Sequence, residues 1–254
     1  MSEWLVLAVA MAAACAVVVI VAVVRDRTAP EDDDPSETPD VIEYMTMMIG
    51  VVYAIVLGLA IAGVWEARSG AHEYVRAESH ALHEISERVR AYPPDARDRI
   101  RDDVNAYVGH VVTTEWKSMA EHGRTTERGD RLFERIRADV TDYEPGSDFE
   151  AQAYQPLLDQ VTAADEARSA RAGSIEPTMP GVVWFGLIAG AVVTVGMIFT
   201  LQIRRTGREL LLAGLFSILI AFLLFLIWDF DEPYVRGAEE SLAPFLQLFP
   251  GVKG

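Results

Sequence analysis

The chain reads as an all-α integral membrane protein with four transmembrane helices and an extramembrane helical bundle inserted between the second and third. Three observations predict this. Apolar residues make up 51% of 254 residues, and mean hydropathy is +0.17. They gather in four blocks instead of spreading along the chain, as a membrane protein with a sizeable soluble part requires. Between the second and third blocks, residues 66–180 hold no apolar run long enough to cross a bilayer, yet a helical period persists. The expected parts are residues 1–65, with the first two crossings and an acidic loop at 25–43; the bundle 66–180; the last two crossings at 181–229; and a C-terminal segment, 230–254.

Trp4 to Val24 is an uninterrupted run rich in Ala and Val, followed by Arg25 and Arg27. A signal peptide carries positive charge before its apolar core, and here the only early charge is Glu3, so the run is expected to stay as a first membrane helix. Cys15, the single cysteine, lies inside it, so no intramolecular disulfide forms. Residues 28–40, TAPEDDDPSETPD, hold three prolines and six acids and cannot fold alone.

The second crossing, Val41 to Trp65, organises the rest. Its last 22 residues carry no ionisable group except Tyr44 and Tyr53. Gly50, Ala54, Gly58 and Ala62 recur every fourth residue, a stripe of small side chains where another backbone can approach. Thr46 and Tyr53, seven apart, give one side weak polarity; that side is read as packing, with a pore lining as the alternative. The helical pattern continues past Trp65 with a seven-residue repeat, Ala71, Glu78, Ile85, Tyr92 and Val75, Leu82, Val89. One long helix is expected to leave the membrane and enter the bundle.

After Pro93-Pro94, the residues Ile100, Val104, Tyr107, Val108, Val111, Val112, Trp116 and Met119 mark the inner face of a second soluble helix, ended by His122-Gly123. A third starts near Thr126, with Leu132, Phe133, Ile136, Val140 and Tyr143 inward. A fourth starts near Asp148 and runs through Phe149, Tyr154, Leu157, Leu158 and Val161. Its later turns, TAADEARSARAGSIE, are polar or Ala and are expected to pack weakly or serve as a stalk. Gly181 to Ile203 is the third crossing, with Gly186 and Gly190 four apart, and Leu210 to Trp228 the fourth. Arg204, Arg205 and Arg208 between them mark a cytoplasmic loop in the bacterial plasma membrane. This places the bundle and both termini outside.

Net charge is −16, and residues 66–180 alone hold 23 acids against 15 bases, which excludes nucleic acid as a partner. His72, His80 and His83, with Glu84, lack the three or four converging ligands of a zinc site, so surface pairs are expected and no metal. No cofactor is implied. The stretch from Asp139 to Glu150 fails the calcium-loop pattern. No nucleophile motif or phosphate-cradling loop occurs, and no enzyme is predicted.

Glu78 occupies a seam position among apolar residues and needs a partner, for which an arginine at 97, 99 or 101 is the candidate. It is read as a buried register-setting ion pair, or else as an ion-contacting or gating residue. Asp229, Asp231 and Glu232 follow the fourth crossing. They either stop the helix and pair with Arg236 or ring an ion entrance at the outer boundary, and Glu43, at the near end of the second crossing, is a further mouth or gating candidate.

In order and spacing these parts resemble the bacterial bestrophin-like family of membrane proteins of unknown function. The resemblance rests on the glycine-bearing second crossing running into Glu78-Ser79-His80-Ala81-Leu82, on Tyr107 with Glu115-Trp116, and on the ending Asp231-Glu232-Pro233 with Gly237. It covers nearly the whole chain and implies kinship with pentameric anion channels. The outer acids, read by themselves, favour cations. The expected function is a homo-oligomeric ion channel in the lipid bilayer, lined by the second crossing and passing inorganic ions. The alternative is a non-conducting anchored scaffold or sensor whose helical bundle binds a partner.

Overall fold

The computed structural model describes residues 40–200, 207–236 and 238–252, together with Leu5, Val9 and Ala12; within 40–43, 198–200, 207–210 and 238–240 it describes the backbone alone. The expected first crossing, the loop that follows it, Cys15, Arg25, Arg27, Arg204, Arg205 and Gly237 lie outside the described residues, as do the side chains of Glu43 and Arg208. Among the described residues every element is helical and no strand occurs. The helices are α1 (Asp40–Arg88), α2 (Pro94–His110), α3 (Trp116–His122), α4 (Glu127–Thr141), α5 (Asp148–Gly173), α6 (Gly181–Thr200), α7 (Gly207–Phe230) and α8 (Ala238–Leu248). The chain divides into two compact units, Met1–Trp65 with Met179–Asp231 and Glu66–Thr178 with Glu232–Gly254.

In the first unit, Tyr53, Leu57, Ala60 and Val64 are buried at the i, i+4, i+7, i+11 spacing of one helical face. They share a core with Leu187 of α6 and with Ile220 and Ile227 of α7. Two described helices, within Tyr44–Ala91 and Leu211–Phe230, are long and apolar enough to cross a membrane, while α6 is apolar over the shorter run Gly181–Met197. The 22 residues from Tyr44 to Trp65 rise about 33 Å, enough for a hydrocarbon layer of about 30 Å. Much of the apolar surface of these helices is exposed in the single chain, Leu59 at 69% for example.

The second unit has its own core. All seven positions of the α1 repeat, from Ala71 to Tyr92, are buried. The helix then tightens into a 3₁₀ turn, Val89–Ala91, before Pro93 and Pro94 start α2 at the position where a missing N–H costs nothing. The eight inner-face residues from Ile100 to Met119 are also buried. Between α2 and α3 the backbone widens into a π turn, Val111–Glu115, a change of period that a 3.6-residue pattern does not reveal. Gly123 ends α3 in the left-handed region at φ 65°, its N–H donating to Met119 O at 3.1 Å. Thr126 and Ser147 cap α4 and α5 through their side-chain oxygens. The segment after Glu232, read from sequence as a separate piece, belongs to this unit, with Tyr234, Phe245 and Phe249 in its core.

In α5, Phe149 is 69% exposed, because it stands about 80° of helix rotation away from Leu157. One expectation for this helix is corrected. The later turns do not pack weakly: Ala164 and Ala167 bring the backbone close to its neighbours, and Arg168 and Arg171 point inward and are buried.

Ile85→Ala should therefore lower the stability of the second unit by about 2–5 kcal/mol, and Phe149→Ala by less than about 0.5 kcal/mol. Denaturant unfolding followed by tryptophan fluorescence distinguishes them; equal losses would contradict the assigned phase of α5.

Candidate functional site

The polar centre of the second unit joins side chains up to 93 residues apart in sequence. The α1 seam carries Glu78 inward because every seventh position faces the core. Arg171 of α5 meets it with a forked pair of bonds, Nε to Oε2 at 2.6 Å and Nη2 to Oε1 at 3.1 Å. Tyr107 of α2 donates its hydroxyl to Glu78 Oε1 and accepts from Arg168 Nη1 at 2.5 Å. The expected partner of Glu78 was an arginine at 97, 99 or 101. Arg97 instead pairs with Asp98 at 2.8 Å and Arg99 with Asp139 at 3.0 Å, and Arg101 lines a cavity elsewhere.

Glu115, the last residue of the π turn, is the second buried carboxylate, on the same helical face as Val108, Val112 and Met119. Its Oε1 accepts from Arg168 Nη1 at 2.8 Å and Arg171 Nη2 at 2.9 Å; its Oε2 accepts from Arg168 Nη2 at 3.2 Å and from the Thr126 hydroxyl and N–H at 3.0 and 3.2 Å. Thr126 caps α4 by accepting from Gly129 N at 3.1 Å. In a capping box, an acid at the third helical residue would bond back to the cap's N–H. Here that residue is Gly129 and Glu115 supplies the carboxylate from another element. A Cβ on Gly129 would collide with Glu115 Oε2 and lie 2.9 Å from Arg168 Nη2. The Thr126 hydroxyl has a single proton, which goes to Glu115. His110 Nε2, 2.6 Å from the same oxygen, must then donate, which fixes the hydrogen on Nε2.

The two buried carboxylates and two buried guanidiniums sum to zero charge, and the network reaches water through Asp130, which accepts from Arg168 Nη2 at 2.8 Å with its side chain 63% exposed. Burial pushes the Glu115 carboxyl up, but the hydrogen bond from Arg168 and the charges of Arg171 and Arg168 outweigh it and hold the group at about 2. Burial raises the Tyr107 hydroxyl well above its ordinary value, and the Glu78 charge adds to this. Burial lowers His110. A centre whose carboxylates accept from both arginines joins α1, α2, the π turn, α4 and α5; it pins helices. Arg168, Arg171 and the Tyr107 hydroxyl carry no local sequence signal beyond an arginine repeat three apart among alanines.

The other predicted residues are dispersed. Tyr53 is buried, donating to Leu187 O at 2.9 Å, and its ring lies against Gly190, where a Cβ would come within 2.5 Å of it. Both therefore serve packing within the chain. Gly50, Gly58 and Gly186 would admit a Cβ with nothing within 4 Å. Ala54 and Ala62 are exposed, and Thr46 is half-buried. Asp231 is 5% exposed and accepts from Met179 N at 2.8 Å and Trp184 Nε1 at 3.1 Å, so it holds the start of α6. Glu232 pairs with Arg236 at 2.9 Å, and Asp229 is half-buried. Glu78 is fully buried. Glu84 pairs with Arg88 at 3.0 Å, His80 is exposed, and His83 packs edge-on against Phe249. Among the described residues no group of three or more His, Cys, Asp or Glu is placed to hold a metal ion.

Residues 12–239 match the family model of the Bestrophin-like domain. The fold is similar to the crystal structure of a point mutant of a bacterial bestrophin homologue from Klebsiella pneumoniae, with a TM-score of 0.63 at 12% identity over 98% of this chain and 100% of that one. No curated protein sequence matches the chain.

Removing one partner from the centre leaves a buried charge. Arg171→Met should cost about 3–5 kcal/mol, while Arg171→Met with Glu78→Met should cost clearly less than the single variant. A double variant as damaged as the sum of the singles would show that the pair is not coupled. The depressed Glu115 carboxyl adds stability that is fully present above its ordinary value of 4.5 and is lost as pH falls toward about 2. The stability gap between the native chain and Glu115→Gln should therefore shrink by about 3 kcal/mol between pH 6 and pH 2. A gap constant across that window, in unfolding monitored by tryptophan fluorescence, would contradict the assignment.

Proposed function

The chain belongs to the bestrophin-like family, and from that membership we propose that it is a homo-oligomeric, four-crossing ion channel of the bacterial plasma membrane, lined by residues 44–65 of α1. The helical bundle and both termini lie on the extracytoplasmic side in this reading. One observation supports it most. The first half of α1 has two distinct faces: Tyr53, Leu57, Ala60 and Val64 are buried within the chain, while Ala54, Gly58 and Ala62 are exposed and Gly58 has open space around it. Small side chains exposed over three turns of an apolar helix let backbones approach in lipid, where association depends on close packing. Copies of the chain meeting around an axis would use that face. Asp229 and Glu232, with Glu43, are the acids proposed to influence ion entry.

The scaffold reading is favoured by a different observation. The second unit closes its own core and neutralises its buried charges without help, as a partner-binding body would.

Recording from the purified oligomer in planar bilayers separates the two. Channel function predicts single-channel current, abolished by Gly58→Leu in protein that still assembles. Silence of folded, oligomeric protein toward both anions and cations across a range of voltages would favour the scaffold.

A further inference from the structure

A cavity of about 180 Å³ lies in the second unit between the end of α1, the middle of α2 and the chain leaving α8. That space equals about six water volumes at roughly 30 Å³ each, the size of a small metabolite rather than a cofactor. Its walls are of two kinds. Ser86, Arg101 and Asn105 supply polar atoms, and Leu248, Phe249 and Val252 supply an apolar side.

The cationic group is the informative one. Arg90, Arg97 and Arg99 around the same helices are each paired, with Glu87 at 2.8 Å, Asp98 at 2.8 Å and Asp139 at 3.0 Å. Among the described residues Arg101 has no ion pair or hydrogen bond, and it acts on Asp98 only through its charge. Asn105 and Ser86 likewise have side-chain hydrogen-bonding capacity that no described group uses. A planar guanidinium beside a carboxamide matches a carboxylate, which accepts two parallel hydrogen bonds. Glu87 in the same wall, although held by Arg90, opposes a doubly charged anion such as phosphate. The apolar side calls for a ligand with a short aliphatic part, and His83, edge-on to Phe249, narrows the space available to it.

We propose that this cavity binds a small organic monocarboxylate, its carboxylate on Arg101 and Asn105 and its aliphatic part against Leu248, Phe249 and Val252. The site lies wholly within the second unit and does not depend on ion conduction.

The test uses the full chain in lipid nanodiscs, butyrate as the probe, and butylammonium as a control of matching size and opposite charge. Saturation-transfer NMR should detect butyrate bound to the native protein. Arg101→Gln and Asn105→Leu, changes outside the core, should each weaken binding roughly tenfold or more with the thermal midpoint retained. Arg99→Gln, which removes a neighbouring paired charge, should leave it unchanged. No transfer to butyrate, equal transfer in folded Arg101→Gln protein, or butylammonium binding as well as butyrate would each overturn the proposal.

Discussion

Two carboxylates and two guanidiniums share the interior of the second unit, and that neutrality is the constraint on which its other features depend. Each ion taken from water costs several kcal/mol, and only close, well-aligned partners offset this. The forked contact of Arg171 on Glu78 and the paired contacts of Arg168 and Arg171 on Glu115 meet the requirement. The inner face that holds Val108, Val112 and Met119 also carries Glu115 to the centre, the alanines of α5 let the arginine-bearing helix come close, and Gly129 leaves room for the carboxylate at the start of α4. Substituting any one of these acts on the electrostatics through geometry. An apolar core of equal volume often does as well or better, so the pairing matters chiefly because losing one partner strands the other's charge.

What was legible in the sequence was what depends on neighbours along the chain. The seven-residue seam from Ala71 to Tyr92, the start at Pro94, the stop at Gly123 and the cap at Thr126 follow from helix period and cap chemistry, and each is present. Glu78 announced itself as an acid among apolar seam positions, and its need for an arginine was readable too. Which arginine was not. The partner lies 93 residues away, in turns whose composition resembles a solvated stalk, whereas the nearer candidates Arg97 and Arg99 have acids of their own. The π turn was hidden for a related reason: one widened turn shifts the phase of the following helix without altering its composition.

In the first unit, composition identified the small residues but could not assign their roles. Gly190 and Gly58 both belong to four-residue repeats of small side chains, yet Gly190 receives the ring of Tyr53 and Gly58 faces open space. Such a repeat states that something approaches closely; only the fold states whether it comes from the same chain. Tyr53 shows the same ambiguity. A hydroxyl in an apolar helix suits a pore wall or a buried carbonyl, and here it has Leu187 O. The match to the Bestrophin-like domain spans both units, while the solved structure at 12% identity bears on the fold alone.

The two halves of α1 follow different periods, and the difference bears on how each can be packed. A four-residue repeat advances about 40° per step around a 3.6-residue helix, so Gly50, Ala54, Gly58 and Ala62 wind across the surface through about 120°. Close approach along such a path suits the right-handed crossings of small-residue motifs in lipid. The seven-residue repeat from Ala71 onward lags by about 20° per heptad and suits left-handed, coiled-coil-like contacts. One continuous helix therefore carries two stripes of opposite drift, one in an apolar stretch and one buried in the core of the second unit. A partner that follows the first stripe would diverge from the second. If copies of the chain do meet through Gly58, close helix contact should be confined to the apolar stretch, leaving the core around Glu78 to each chain alone.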